Sequence, residues 1–228
     1  MLARLQQIST GFLIGLAIGW AIYALYIDRP VWALIGALLI LFGYVAILGL
    51  EFVLMQAANL RDPHPAATWR EVAAAWWAET WYALLVFCWR QPFRSNAVAN
   101  RPASTQANRG LVLAHGFVCN RGLWNGWYAR LVEQDIPFIG VDFEPVFGDI
   151  DAFAAHIETA VSSLQQSTGM APVVVAHSMG GLAVRAWLRH AGPYAVDRVH
   201  HVITLGSPHR GTAQIGRASC RERVSVLV

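Results

Sequence analysis

The chain has 228 residues, of which 56% are hydrophobic and 14% charged, with a formal net charge of +3. So small a positive balance gives no footing for nucleic-acid binding, and the cysteines show neither Cys-x-x-Cys spacing nor histidines at ligand intervals, so no metal site is indicated. Neither a G-x-x-x-x-G-K-[ST] loop nor a G-x-G-x-x-G turn after a strand occurs, which leaves no nucleotide cofactor implied.

The first 60 residues read as a transmembrane hairpin. Leu5 to Ile27 contains no charged residue and neither does Val31 to Leu50, and about 20 helical residues cross a hydrocarbon core of ~30 Å. Spans are predicted at about 8–27 and 31–50, with Asp28-Arg29-Pro30 as the connection and Tyr23, Tyr26 and Trp32 at interface depth beside it. A cleaved signal peptide is the alternative for the first segment, but its apolar stretch is long, no clear small-x-small site follows, and a second span comes at once. A buried core helix is the alternative for the second, against which stands its lack of any polar face. Arg4, Arg29, Arg61 and Arg70 favour both ends in the cytoplasm, which puts the rest of the protein on the cytoplasmic face of an inner membrane.

Arg61-Asp-Pro-His-Pro then interrupts the helix, and Thr68-Trp-Arg-Glu71 supplies a capping box for a new one within 61–94. Trp69, Ala73, Trp76, Trp77, Leu84 and Phe87 fall on one stripe, with Arg70, Glu71 and Glu79 opposite. The pattern suits either a helix in the membrane interface or one packed on a core. Residues 95–109 are polar and aperiodic and read as a linker. From residue 110 strands alternate with helices: strands at 110–114, 137–143, 172–177 and 199–205, helices at about 123–134, 150–167 and 179–191. That alternation calls for a doubly wound, mostly parallel sheet with helices on both faces. Ligands of such sheets gather at the strand C-termini, here His115-Gly-Phe, Glu144 and Ser178.

Pro172-Val-Val-Val-Ala-His-Ser178-Met-Gly-Gly reads as a buried strand entering a sharp turn that presents a serine at the start of a helix. A nucleophile on such a turn needs small residues two places before and after it. Ala176 and Gly180 meet that need, although the usual pattern has glycine at the first position. The following helix aims its free N–H groups and positive dipole end at the serine. Gly110 to Phe117 is a second apolar strand, ending in His-Gly-aromatic, and it has the form of an oxyanion loop; the N–H groups of Phe117 and Met179 are the candidate donors. Trp124 and Trp127 follow this loop and are candidates for an acyl pocket, with ordinary helix packing as the alternative. A Cys88–Cys119 disulfide stays open, though Cys88 is more simply read as a small buried hydrophobe.

Together LVLAHGF, VVVAHSMGGLAVRAWL and VITLGSPHRGT resemble the bacterial lipase and esterase branch of the α/β-hydrolase superfamily over roughly residues 108–213. The resemblance implies a Ser-His-Asp triad and hydrolysis of lipophilic carboxylic esters, with Ser178 as nucleophile and Phe117 sharing the oxyanion hole with Met179. It implies structural roles for His115 and His177, and makes His209 a turn histidine. Such enzymes place the triad acid and histidine after the serine, and no residue that follows it fits: Asp197 precedes the last strand, and His200, His201 and His209 flank it. The triad Asp and His are therefore read as absent from this chain. Ile215 to Val224, with Arg217, Arg221 and Arg223, resembles a sequencing-library adapter translated in frame, so 214–228 reads as a non-native tail on a partial hydrolase domain at 110–213. Loss of triad members costs about 10⁴ to 10⁶ in turnover. The polypeptide as written is accordingly expected to be inactive, with an unpaired sheet edge near 199–205 that favours aggregation. A non-catalytic binding protein on the same fold, and an acyltransferase or thioesterase using the same serine, are the rival readings.

Overall fold

The computed structural model describes residues 1–59 and 67–209. The chain divides into two compact units, Arg4–Trp89 and Arg90–Val228, with Met1–Ala3 grouped with the second. The interruption expected at Arg61-Asp-Pro-His-Pro and the tail expected from 214 lie outside the described residues.

In the first unit α1 (Leu2–Tyr26) is one helix, long and apolar enough to cross a membrane. Residues 27–29 turn the chain, with Asp28 at φ 60°, into α2 (Pro30–Phe42), whose proline takes the first helical position, where its missing N–H costs nothing. Trp20 closes the pair: its indole N–H donates to Trp32 O at 2.8 Å, and its ring lies against Gly36. The second predicted span, 31–50, is not one straight helix. It breaks at Gly43, where α2 and α3 (Tyr44–Asn59) meet at 50°. The Gly43 N–H still reaches Leu39 O at 2.9 Å, but a Cβ at 43 would lie 2.5 Å from that oxygen, so only glycine tolerates the bend. Beyond it Tyr44 Oη donates to Thr80 O at 2.9 Å and Trp76 Nε1 to Val45 O at 3.1 Å, fixing α3 against α4 (Trp69–Ala83).

The capping box of α4 forms, Thr68 Oγ1 accepting from Glu71 N–H and the Glu71 carboxylate accepting from Thr68 N–H. Val72, Trp76 and Thr80, spaced four apart, are the residues turned inward, while Trp69, Trp77, Trp81 and Tyr82 are exposed. The predicted tryptophan stripe thus divides, because Trp76 and Trp77 stand ~100° apart around the axis. The helix also widens into a π turn at Leu84–Arg90 before α5 (Gln91–Arg94). Pro92 cannot donate to the carbonyl four residues back and crowds it, and a widened turn relieves that contact. Cys88 and Cys119 are both free thiols.

In the second unit β1 (Leu111–Ala114), β2 (Phe138–Val141), β3 (Val173–His177) and β4 (His201–Leu205) form a parallel sheet in the order β2-β1-β3-β4. Side chains alternate between its faces. Val112, Ala114, Val174 and Ala176 pack under α7 (Ala154–Thr168) and α8 (Met179–Ala191), through Ile157, Val161, Ala183 and Trp187. Leu113, Phe138 and Val175 face the 3₁₀ turn Arg121–Trp124 and α6 (Asn125–Glu133), through Trp124, Tyr128 and Leu131. α9 (Ala195–Arg198) leads into β4, whose Ile203 and Leu205 stay exposed among the described residues.

Two boundaries differ from the sequence expectation. α7 begins at Ala154, not near 150, because Asp149 caps a turn, its carboxylate accepting from Asp151 N–H at 3.0 Å. Residues 95–109, expected as a linker, are irregular yet fixed along the β2 edge. Arg101 and Phe138 exchange backbone hydrogen bonds of 2.9 and 2.7 Å, Asn100 Oδ1 accepts from Gly140 N–H at 3.0 Å, and Thr105 N–H donates to Asp135 at 2.8 Å. Side-chain and backbone pairing of this kind carries no hydrophobic periodicity.

Candidate active site

Ser178 sits between β3 and α8 at φ 53°, ψ −125°. A non-glycine residue in that region is strained and held only by its surroundings. Three segments hold it. Ser178 N–H donates to Leu205 O of β4 at 2.9 Å, and Gly181 N–H closes the turn on Ser178 O at 3.0 Å. A Cβ on Gly180 would lie 2.5 Å from His115 O and 2.8 Å from Ala114 O, so α8 starts in backbone contact with β1, and a side chain at this position has no room. A Cβ on Gly181 would meet Ser207 Oγ at 2.2 Å. Ala176 is fully buried, aligned with Ala114 on one side and Thr204 on the other; its methyl fits where the common pattern has glycine.

The loop after β1 reaches the same point. A Cβ on Gly116 would lie 2.9 Å from Ser178 Cβ, and Phe117, half exposed, comes next. Neither Phe117 N–H nor Met179 N–H donates a loop or cap hydrogen bond among the described residues. Met179 is the first residue of α8, where backbone N–H groups have no partner within the helix. His115 is buried. Its Nε2 accepts from Phe143 N–H at 3.2 Å and lies 3.6 Å from Asp142 Oδ1, and its Nδ1 lies 2.9 Å from Gly116 O. Both ring nitrogens are thus engaged in shaping the loop. His177 lies beside Gly116, and His209 is tied into the turn after β4: its Nε2 is 3.3 Å from Thr204 Oγ1, and its carbonyl accepts from Arg185 at 3.2 Å. Burial first, then the Arg185 guanidinium, holds the His209 imidazole below its usual pKa.

Trp124 is buried in the core with Tyr128, Leu131 and Phe138, and Trp127 meets it edge to face at 5.2 Å; for Trp124 this is a core placement. Glu144 is exposed in the segment after β2. No histidine or carboxylate hydrogen-bonds Ser178 among the described residues. Sequence reasoning missed the Gly116–Ser178 approach and the turn that exposes Phe147; the one available signal for the latter was a phenylalanine placed just before Gly148 in a loop that also carries Asp142, Glu144, Asp149 and Asp151. Strand order and crossing helices on both faces make this a doubly wound parallel α/β sheet, with Ser178 on the strained turn between β3 and α8.

A family model described as a PGAP1-like alpha/beta domain matches residues 154–217, a stretch that contains α7, β3, Ser178, α8 and β4. Among solved structures, the mature form of the lipase BlEst2 from Bacillus licheniformis is similar at 24% identity and a TM-score of 0.42, covering 50% of this chain and 46% of that one. The propeptide form of the same lipase gives 24% identity and a TM-score of 0.42, covering 50% of this chain and 25% of that one. The chain therefore spans about half the length of the mature lipase. No curated protein matches it.

Proposed function

We propose that this protein is a membrane-anchored serine hydrolase that cleaves carboxylic esters, of the lipase or carboxylesterase type, through an acyl-enzyme on Ser178. The observation that carries the reading is the strained φ of 53° at Ser178, kept in place by contacts from β1, β4 and α8. Strain of this kind concentrates where a side chain must be presented for chemistry.

In the proposed reaction Ser178 Oγ attacks the ester carbonyl carbon, forming the O–C bond while the carbonyl oxygen becomes an anion. The N–H groups of Phe117 and Met179 and the dipole of α8 stabilise that anion, each donor by roughly 3 to 4 kcal/mol. The C–O bond to the alcohol then breaks, and the alcohol leaves with the proton that Oγ gave up. Water reverses the sequence, releasing the carboxylic acid and restoring Ser178. No described residue is assigned as the base that relays the proton.

The test is reaction of the full-length protein, in detergent, with a fluorophosphonate. A covalent adduct on Ser178, found by peptide mass spectrometry and absent in Ser178→Ala, is the expected result. No adduct on Ser178 would sink the reading and favour a binding protein.

Anchoring is supported by α1, by its exposed Ile8, Phe12, Ile18 and Ile22, and by the apolar pair α2–α3 across the Gly43 bend. Alkaline washing of membranes is expected to leave the protein in the pellet. With both anchor ends in the cytoplasm, protease is expected to cut the hydrolase unit in inside-out vesicles and to spare it in right-side-out ones.

A further inference from the structure

Resting on Ser178 as the nucleophile, we propose that Phe117 and Phe147 form the wall that receives the acyl chain, so that the enzyme selects medium and long acyl groups over short ones. The Phe117 backbone follows Gly116, the residue packed on Ser178 Cβ. The half-exposed Phe117 ring meets Phe147 edge to face, with centroids 5.8 Å apart. Phe147 is 70% exposed, which a phenylalanine adopts at a cost unless something apolar covers it.

That exposure is built in. Gly148 N–H donates to Pro145 O at 2.8 Å, closing a tight turn with Phe147 near its tip. Gly148 itself rests on Phe153, whose ring a Cβ there would meet at 3.2 Å. Phe153 is fully buried and stacks on Phe143 at 4.8 Å, and Phe143 meets the His115 ring at 4.9 Å. One aromatic foundation therefore supports both the turn bearing Phe147 and the loop bearing Phe117. Both follow the C-terminal ends of strands, β1 and β2, as Ser178 follows β3. An acyl carbon bound between Ser178 Oγ and the Phe117 N–H would have this pair within reach of its chain. Two exposed rings fixed on braced loops present apolar surface without ordering cost, which is what an alkyl chain requires.

The experiment uses p-nitrophenyl alkylphosphonates with ethyl and octyl chains on the full-length protein in detergent. Ser178 Oγ forms the P–O bond, the bond to p-nitrophenolate breaks, and the released phenolate reports the rate. Each methylene covered on one side is worth roughly twofold, so with about half of the additional octyl methylenes lying on the two rings the octyl reagent is expected to react on the order of tenfold faster. In Phe147→Ala that ratio is expected to fall to within about twofold, with Phe147→Leu between the two. Tyr194→Ala, an equally exposed aromatic truncated elsewhere, should keep the wild-type ratio. Because Phe147 contributes no core packing, its truncation leaves the fold intact. An unchanged octyl-to-ethyl ratio in Phe147→Ala overturns the acyl wall alone. Reaction of neither reagent at Ser178 overturns the nucleophile and the wall together.

Discussion

A methyl group at position 180 sets two effects against each other. Alanine is favoured over glycine in a helix by about 1 kcal/mol, and Gly180 lies in α8. The added Cβ, however, would lie 2.5 Å from His115 O and 2.8 Å from Ala114 O, both backbone atoms that cannot swing aside. Forcing β1 and α8 apart costs on the order of 1 to 3 kcal/mol or more, so overpacking wins. Gly180→Ala is expected to lower the thermal unfolding midpoint and to abolish phosphonate labelling of Ser178; a variant as stable and as reactive as wild type would show that the contact is not what shapes the turn. At this scale the sequence was most legible. The need for small residues around Ser178 follows from the strand-turn-helix pattern, and at Gly180 a side chain indeed has no room. What it could not reveal is which atoms touch, because the Gly116–Ser178 approach joins residues far apart in the chain.

Between elements, the clearest coupling is carried by Glu158 of α7. Its carboxylate accepts from Trp187 Nε1 of α8 at 2.7 Å, from Arg198 Nη2 of α9 at 2.6 Å and from Ser162 Oγ at 2.7 Å. Burial alone would raise this carboxyl, yet the hydrogen bonds from Trp187, Arg198 and Ser162 and the Arg198 charge bring it from 4.5 down to about 2. A carboxyl depressed by folding stabilises the fold above its unfolded pKa, and that contribution is lost as pH falls from about 4.5 toward about 2. Glu158 is 42% exposed, so solvent screening leaves on the order of 1 kcal/mol. Glu158→Gln is expected to be less stable than wild type at pH 7 and to lose less stability between pH 5 and pH 2.5, read from unfolding midpoints. Parallel curves for the two proteins would remove the coupling. The elements themselves were legible because β-branched runs and helical spacing are local signals. The bend at Gly43 and the π turn at Leu84–Arg90 were not, since apolar helical spacing runs on through both, and the pinning of 95–109 was not, since it is made by pairing with β2 and the loop before it.

For the molecule as a whole the open question is what covers the aromatic surface of the first unit. Among the exposed side chains of α4 are Trp69, Trp77, Trp81 and Tyr82, with Trp77 and Trp81 packed edge to face at 5.8 Å. The opposite side of α4 is occupied by α3, through Trp76 and Thr80. Exposed indoles with an apolar body and one N–H donor suit the headgroup boundary of a bilayer, where the ring leaves water and the N–H stays solvated. The sequence showed a tryptophan-rich helix but not which residues face outward, because that choice is made by α3. In vesicles containing brominated lipids, intrinsic fluorescence is expected to be quenched. Replacing Trp77 and Trp81 with phenylalanine should lower the quenched fraction, while replacing the core residue Trp124 should leave the absolute quenched intensity nearly unchanged. If the double variant is quenched as strongly as wild type, α4 does not lie at the lipid boundary, and its exposed row must be covered by something other than membrane.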